Sequence, residues 1–308
     1  MTDIHNNTDY TEPLPLGGLE ITPLDLLQHV VAFGGTGSGK TRSCILPLIE
    51  SVLDRFGDAP DKRAAMILLD AKGDMGTLAR ECIARAGRTD KVLVFGEGGN
   101  CWLPIFEHFN GDTTAVADFL FETLEDRSRG RGGENEAFWS ENARRLLRAS
   151  ATLAKAQHGA DMGGLRGFGD CLNTIISANT GCSSDDVDGV PCGNESATRI
   201  GEILDEGFVR GRIDALERDG LNAYIRHDVT PGNSRTWATI ANMGRNYISQ
   251  FSQRHLQALF EAGPGLERLC PEDVIDRGQI LIVALSPVIY GEAATPFRLV
   301  LKKLFCDR

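Results

Sequence analysis

The chain contains no run approaching the ~18 consecutive apolar residues that a membrane-crossing helix needs, so nothing in its 308 residues reads as a span. Its first residues, Met1-Thr2-Asp3-Ile4-His5-Asn6-Asn7, are polar and lack the basic-then-apolar order of a secretory leader. The cytoplasm is therefore the expected compartment. Basic charge is scarce, with 32 Lys and Arg against 43 Asp and Glu and a formal net charge of −11. A protein that coats DNA by bulk electrostatics needs the opposite balance, because non-specific affinity comes from neutralised phosphates. A motor that concentrates a few basic residues on one loop or pore is still allowed. The eight cysteines, at 44, 82, 101, 171, 182, 192, 270 and 306, include no C-x-x-C pair and no histidine at zinc-ligand spacing. Reduced structural thiols are expected. No Ser-His-Asp or Cys-His arrangement and no guanine-reading Asn-Lys-x-Asp occurs. The acidic stretch Ser183-Ser184-Asp185-Asp186-Val187-Asp188-Gly189 lacks the spacing and closing glutamate of a calcium loop and reads as a solvated turn.

What the chain does have is Gly34-Gly35-Thr36-Gly37-Ser38-Gly39-Lys40-Thr41, which satisfies G-x-x-x-x-G-K-[ST]. The apolar run His29-Val30-Val31-Ala32-Phe33 before it predicts a buried parallel strand, and an amphipathic segment continues to Phe56. Strand, loop and helix are the context a phosphate-binding loop needs. Gly34, Gly35, Gly37 and Gly39 let the backbone wrap with its N–H groups inward, and a polyphosphate then sits on the positive end of the following helix. In such a loop Lys40 reaches the β- and γ-phosphates of ATP and the Thr41 hydroxyl ligates Mg²⁺. Those roles make Lys40 and Thr41 the catalytic candidates.

The length suggests about two domains. Residues 1–17 predict a flexible arm, with Gly18-Leu19-Glu20-Ile21 as a short strand after it. Past the loop, Ile45, Leu48, Ile49, Val52, Leu53 and Phe56 form one helix face, which Pro47 should bend. Ala64 to Leu69 predicts a second buried strand ending in Asp70-Ala71-Lys72-Gly73-Asp74, followed by a helix over 75–86 and a third strand, Lys91 to Phe95. Alternating strands and helices imply a parallel sheet. From 113 to 260 the chain reads as helices alone, with the clearest over 136–157 and Phe138-Trp139 as its anchor. Gln279 to Leu285 then predicts a return strand, and 293–306 a final helix. The expected division is an arm (1–17), a nucleotide-binding domain in two parts (18–112 and 261–308), and an all-α insertion (113–260).

In this order, these features resemble the TraG/TraD-like type IV coupling proteins of conjugation and secretion, within the FtsK/HerA group of P-loop ATPases. The resemblance rests on His29 to Thr41, on Asp70-Ala71-Lys72-Gly73-Asp74, on Leu103-Pro104-Ile105, on Phe138-Trp139 opening a helical insertion, and on the return strand Ile280 to Leu285. It covers the chain from about Gly17 onward. It implies an α/β P-loop NTPase sheet flanked by helices with an inserted all-α domain. It also implies an ATP- and Mg²⁺-dependent motor, hexameric when complete, that moves DNA or a relaxase–DNA cargo toward secretion-channel proteins at the inner face of the bacterial inner membrane. The helical insertion would recognise cargo, with helices 136–157 and 165–178 lying there.

Two departures qualify that picture. Family members usually begin with membrane-spanning helices, and they place a strand ending in Asp-Glu after the return strand. The only apolar run ending that way is Ile203-Leu204-Asp205-Glu206, inside a helical stretch. A core truncated at its C-terminus is therefore expected, with exposed apolar surface at a sheet gap and with nucleotide binding outpacing turnover. Asp70 has two readings, a Mg²⁺-directing acid or a strand-end cap. Arg235 and Arg245 are candidates to reach a neighbouring subunit or to be merely solvated, and Arg127, Arg129 and Arg131 form a basic loop. Two other functions stay open: a degenerate module that binds nucleotide and cargo without efficient hydrolysis, and a kinase acting on a small phosphate acceptor without any ring.

Overall fold

The computed structural model describes residues 12–16, 19–26, 32–33, 35, 37–56, 63–70, 75–88, 92–125, 136–179, 195–230, 234–249, 254–291 and 294–306. Residues 29–31, Gly34, Thr36, 71–74, the basic loop with Arg127, Arg129 and Arg131, and the acidic stretch 183–189 lie outside the described residues. The chain divides into two units, Met1–Trp102 with Pro264–Arg298, and Leu103–Gly263 with Leu299–Arg308.

The first unit starts with β1 (Leu14–Leu16) paired antiparallel with β2 (Leu19–Ile21), and then α1 (Pro23–Leu26). Thr22 and Asp25 cap that helix reciprocally, with the Thr22 N–H on Asp25 Oδ2 at 2.8 Å and the Asp25 N–H on Thr22 Oγ1 at 3.2 Å. The flexible arm expected over 1–17 is thus corrected for 12–16. Leu14 is buried and β1 packs on α2 (Leu46–Phe56), so apolar burial outweighs the local prolines. A π-helical turn, Thr41–Ile45, leads into α2, with the Leu46 N–H on the Thr41 carbonyl. Pro47 cannot donate to the carbonyl four residues back, and this wider turn lies just before it.

Next come β3 (Met66–Asp70), α3 (Met75–Arg85), β4 (Val92–Gly96) and the two-residue β5 (Cys101–Trp102). The second unit follows with α4 (Thr113–Glu125), α5 (Glu136–His158), α6 (Gly164–Ser177), α7 (Glu195–Val209), α8 (Ala215–Tyr224), α9 (Ser234–Ser249) and α10 (Arg254–Gln257). The chain then returns to the first unit with β6 (Glu267–Arg268), α11 (Pro271–Asp276), β7 (Ile280–Ala284) and α12 (Pro287–Tyr290). The last helix, α13 (Ala294–Cys306), contains the point of division.

The fold is mixed α/β, with a small parallel sheet of order β3-β7-β4 flanked by helices. Its register aligns Leu68 with Ile282 and Ile282 with Val94. All five residues of β7 are buried, which is why it reads as an uninterrupted apolar run rather than an alternating one. On one face, Leu68, Val94, Ile280 and Ile282 pack with Ile49 and Leu53 of α2 and with Ala79, Cys82 and Ile83 of α3. Each such buried aliphatic side chain contributes about 1.5–3 kcal/mol. The outer strand β3 departs from the full burial expected of it, because Ile67 and Leu69 are 38% and 43% exposed. Ala32 and Phe33, expected to end a buried strand, are likewise exposed, Phe33 by 91%, and neither is in a strand. A short apolar run fits a strand by pattern alone but is buried only where a neighbouring layer covers it. The pairing of β5 with β6 carries no periodicity at two residues and was not legible beforehand.

A fully buried arginine binds the strand starts together. Arg88 donates through Nη1 to the Ala64 carbonyl at 3.3 Å and through Nη2 to the Gly278 carbonyl, joining the segments that lead into β3, β4 and β7. At the other edge Gly96 has φ +113°, and a Cβ there would lie 2.2 Å from the Ala284 carbonyl oxygen.

The second unit is built on α5, which packs against α4, α6, α7, α8 and α9. The spacing predicts one face of Trp139, Ala143, Leu146, Leu147, Ser150, Leu153 and Ala154, and all of these are buried except Trp139, which is half-buried. Small residues set the approach of the helices, since a Cβ on Gly207 of α7 would meet the Ala156 Cβ at 2.7 Å. Phe138 is 50% exposed and stacks edge-on against Trp139 at 5.0 Å, so that pair does not anchor the bundle. The aromatic core is instead Phe106 against Phe168 (5.5 Å) and Phe109 against Phe119 (5.0 Å). The boundary falls after Trp102 rather than at 112 because Leu103, Ile105 and Phe106 are buried on the helical side, the Leu103 N–H reaching the Leu259 carbonyl at 2.9 Å.

Gly96→Ala is expected to cost about 2–4 kcal/mol in denaturant unfolding, whereas Gly98→Ala, whose Cβ would meet nothing within 4 Å, costs about 1 kcal/mol. Equal midpoints for the two variants would contradict the tight approach of β4 to β7.

Candidate nucleotide-binding site

The phosphate-loop sequence folds as a loop turned on glycines. Gly37 and Gly39 have φ of +79° and +83°, a region that side chains disfavour. Among the described residues, a Cβ on Gly35 or Gly37 would meet nothing within 4 Å. The Ser38 N–H donates to the Gly35 carbonyl at 3.2 Å, closing the turn. Lys40 enters helical backbone (φ −44°, ψ −48°), and Thr41 begins the π turn. The Lys40 ammonium folds back into its own loop, donating to the Gly35 carbonyl at 2.8 Å and to Ser38 Oγ at 3.5 Å. A compact cation held by loop oxygens is one that an anion can capture without moving the backbone. Ser43, which the motif does not mark, supports the turn by donating its N–H to the Gly39 carbonyl at 2.8 Å. Its hydroxyl stands 3.3 Å from where a Gly39 Cβ would be.

Asp70 ends β3 and is 2% exposed. Its Oδ2 accepts the Gly76 N–H at 2.6 Å, in the first turn of α3. A carboxylate there satisfies a backbone donor that the helix cannot, and it complements the positive end of the helix dipole. Gly76 was missed in the sequence, yet a Cβ at that position would lie 3.1 Å from Asp70 Oδ2. A glycine six residues after a strand-ending aspartate is the one legible trace. Of the two readings of Asp70, the cap is the one with a described partner.

The sheet register brings Asp70, Ala284 and Gly96 to the same edge. The bonds described above join Lys40 to its own loop and Asp70 to α3, and they do not join the two residues to each other. Arg235 and Arg245 lie exposed on α9, and Asp205 and Glu206 are exposed on α7, where Glu206 pairs with Arg210 one turn on at 2.5 Å. The only Asp-Glu ending an apolar run is therefore helical surface, as its context suggested. Cys44 is exposed within the π turn, while Cys101 and Cys171 are buried. Burial pushes both of those thiols up to about 12, with Glu267 adding to the effect at Cys101 and Asp170 at Cys171. Comparison of the chain with protein-family models and with curated proteins finds no match to either.

Replacing the Asp70 carboxylate by a methyl, Asp70→Ala, is expected to lower unfolding stability by about 1–3 kcal/mol, with Asp70→Asn losing less. Unchanged stability in Asp70→Ala, together with loss of magnesium-dependent nucleotide binding, would make the carboxylate a metal group instead of a cap. For the thiols, raised values mean a thiolate fraction of roughly one in ten thousand at pH 8 for Cys101 and Cys171. Iodoacetamide followed by peptide mass spectrometry should modify Cys44 and leave those two intact, and their equal labelling would contradict the burial.

Proposed function

We propose that residues 34–41 hold the polyphosphate of ATP and that the chain serves as the ATP-binding motor domain of a type IV coupling protein, driving DNA or relaxase–DNA transfer by hydrolysis. The observation that carries the first part is the loop itself: left-handed Gly37 and Gly39, and the Lys40 ammonium turned onto the Gly35 carbonyl at the head of a helix. These features support phosphate binding, which draws on backbone N–H groups and on the positive end of a helix. The Lys40 ammonium would exchange its loop oxygens for phosphate oxygens, and the loop N–H groups would take the rest of the charge.

Bound Mg²⁺ would bridge phosphate oxygens and offset charge developing during phosphoryl transfer. Thr41 is the residue in sequence position to hold it, with Asp70 as the acidic candidate. Among the described residues no group of three His, Cys, Asp or Glu side chains converges on one point. The motor assignment rests on the resemblance and on an α/β sheet accompanied by a separate helical unit. Hexamer formation, DNA, relaxase and channel partners, and a place at the inner face of the inner membrane belong to the same proposal. No helix among the described residues is long and apolar enough to cross a membrane.

A second reading, nucleotide binding without efficient turnover, is favoured by the use of the Asp70 carboxylate as a helix cap and by the surface position of Asp205 and Glu206. Both readings predict Lys40-dependent binding. Lys40→Ala is expected to weaken ATP binding by about 10- to 100-fold, the worth of charge-assisted hydrogen bonds to phosphate. ATP turnover measured on the same samples, with and without single-stranded DNA, separates the two: DNA-stimulated turnover supports the motor, and binding without turnover supports the binding module. Equal ATP affinity in Lys40→Ala would overturn both.

A further inference from the structure

The helical unit has a cleft that the nucleotide reading does not use. It lies between α5 and α8, with Arg145, Arg148 and Thr152 on one side and Gly220, Leu221 and Tyr224 on the other, and its volume is about 420 Å³. That is within the range of sites that enclose small organic ligands, roughly 300–1,000 Å³. A smaller hollow of about 330 Å³ adjoins it, sharing Arg145 and Tyr224.

Three observations converge on this cleft. The first is its charge. Arg145 pairs with Asp228 at 3.1 Å and Lys155 with Glu217 at 2.6 Å, whereas Arg148 is exposed with no ion-pair partner among the described residues. In a chain with a net charge of −11, the cleft is left with one unmatched positive charge. The second is Gly220, in the interior of α8. Glycine there costs about 1 kcal/mol relative to alanine, and a Cβ would meet nothing within 4 Å, so helix packing does not require it. Gly220 lines the cleft, so a larger side chain there would enter it. The third is the π turn Ile225–Val229 that follows Tyr224. Such turns are rare and are found frequently at functional sites. Here the turn is anchored by buried Ile225 and Val229, with Tyr224 at its start and Asp228 within it. The Arg145 guanidinium lies 5.2 Å from the Tyr224 ring centre, and burial pushes the Tyr224 hydroxyl up, keeping it a donor.

Thr113 and Glu217, its carboxylate held by Lys155, also line the cleft, and the rest of the wall is apolar. Ala149 and Leu221 line the floor, and Leu216 stands at the rim, 82% exposed. One unmatched cation beside an apolar floor suits a ligand with one negative charge and an apolar body. We infer that the cleft between α5 and α8 binds a small organic monocarboxylate, its carboxylate on Arg148 and its ring along Ala149, Leu221 and Leu216. The site is separate from the phosphate loop and does not depend on the nucleotide reading.

The test is calorimetric titration of the full chain with 2-naphthoate, alongside acetate and the neutral 2-naphthalenemethanol. The expected result is saturable one-to-one binding of 2-naphthoate, with both controls at least about tenfold weaker, since each lacks either the apolar body or the charge-assisted hydrogen bond. Arg148→Gln should weaken binding at least about tenfold. Gly220→Leu should abolish it with no fall in the thermal midpoint, because the added side chain enters open space. Lys40→Ala should leave it unchanged. Should Gly220→Leu also lower the midpoint, Arg148→Gln alone decides. Absence of saturable binding, equal binding of the neutral alcohol, undiminished binding in Arg148→Gln, or loss in Lys40→Ala would each overturn the inference.

Discussion

The buried strand Ile280–Ala284 is the constraint on which the first unit depends. It pairs with Met66–Asp70 on one side and Val92–Gly96 on the other, so the sheet is complete only when a segment from late in the chain enters between two earlier ones. Apolar burial on both faces of the strand fixes the register, because a slip of one residue would exchange the residues facing α2 and α3 for those facing away. Arg88 secures the start of this arrangement through the carbonyls of Ala64 and Gly278. Gly96 secures the end, where only a residue without a side chain tolerates the Ala284 carbonyl so close. The register in turn puts Asp70, Ala284 and Gly96 at one edge, and in parallel α/β sheets the carboxyl edge is where ligand-binding loops gather.

How much of this was legible in the sequence depended on the length of each pattern. The helices over 46–56, 75–85 and 136–158 and the strands over 66–70, 92–96 and 280–284 announced themselves through repeated spacing or long apolar runs. The glycine-rich stretch stood out through its motif spacing, and two of its glycines, Gly37 and Gly39, adopt left-handed backbone; phosphate binding by it is the proposal. Burial was harder to read than secondary structure. Ile67, Leu69, Phe33 and Phe138 are apolar and yet substantially exposed, because burial depends on which layer faces a residue and not on the residue itself. Arg88 is the converse, a charged side chain fully buried because two backbone carbonyls from distant segments receive it. Neither outcome is written in local periodicity. The role of Asp70 as a cap for α3 required knowing that Gly76 would meet it, which is a tertiary fact.

In the helical unit the same logic runs through close approach. Gly207 and the alanines of α5 let helices meet at short range, while Gly220 is glycine where nothing crowds it. The contrast separates a glycine required by packing from one whose value lies in the space it leaves. The two π turns behave alike: Thr41–Ile45 follows the phosphate loop, and Ile225–Val229 borders the α5–α8 cleft.

The turn at Gly35–Thr41 is proposed as a polyphosphate cradle. Hydrogen–deuterium exchange read by peptide across residues 35–46, with and without Mg²⁺-ATP, tests it most directly, because bound phosphate would engage the backbone N–H groups of that turn and of the helix start. Nucleotide should slow exchange in this segment in the unaltered chain and leave it unchanged in Lys40→Ala. Unchanged exchange here in the unaltered chain, at nucleotide concentrations that saturate binding, would contradict it and place the nucleotide elsewhere.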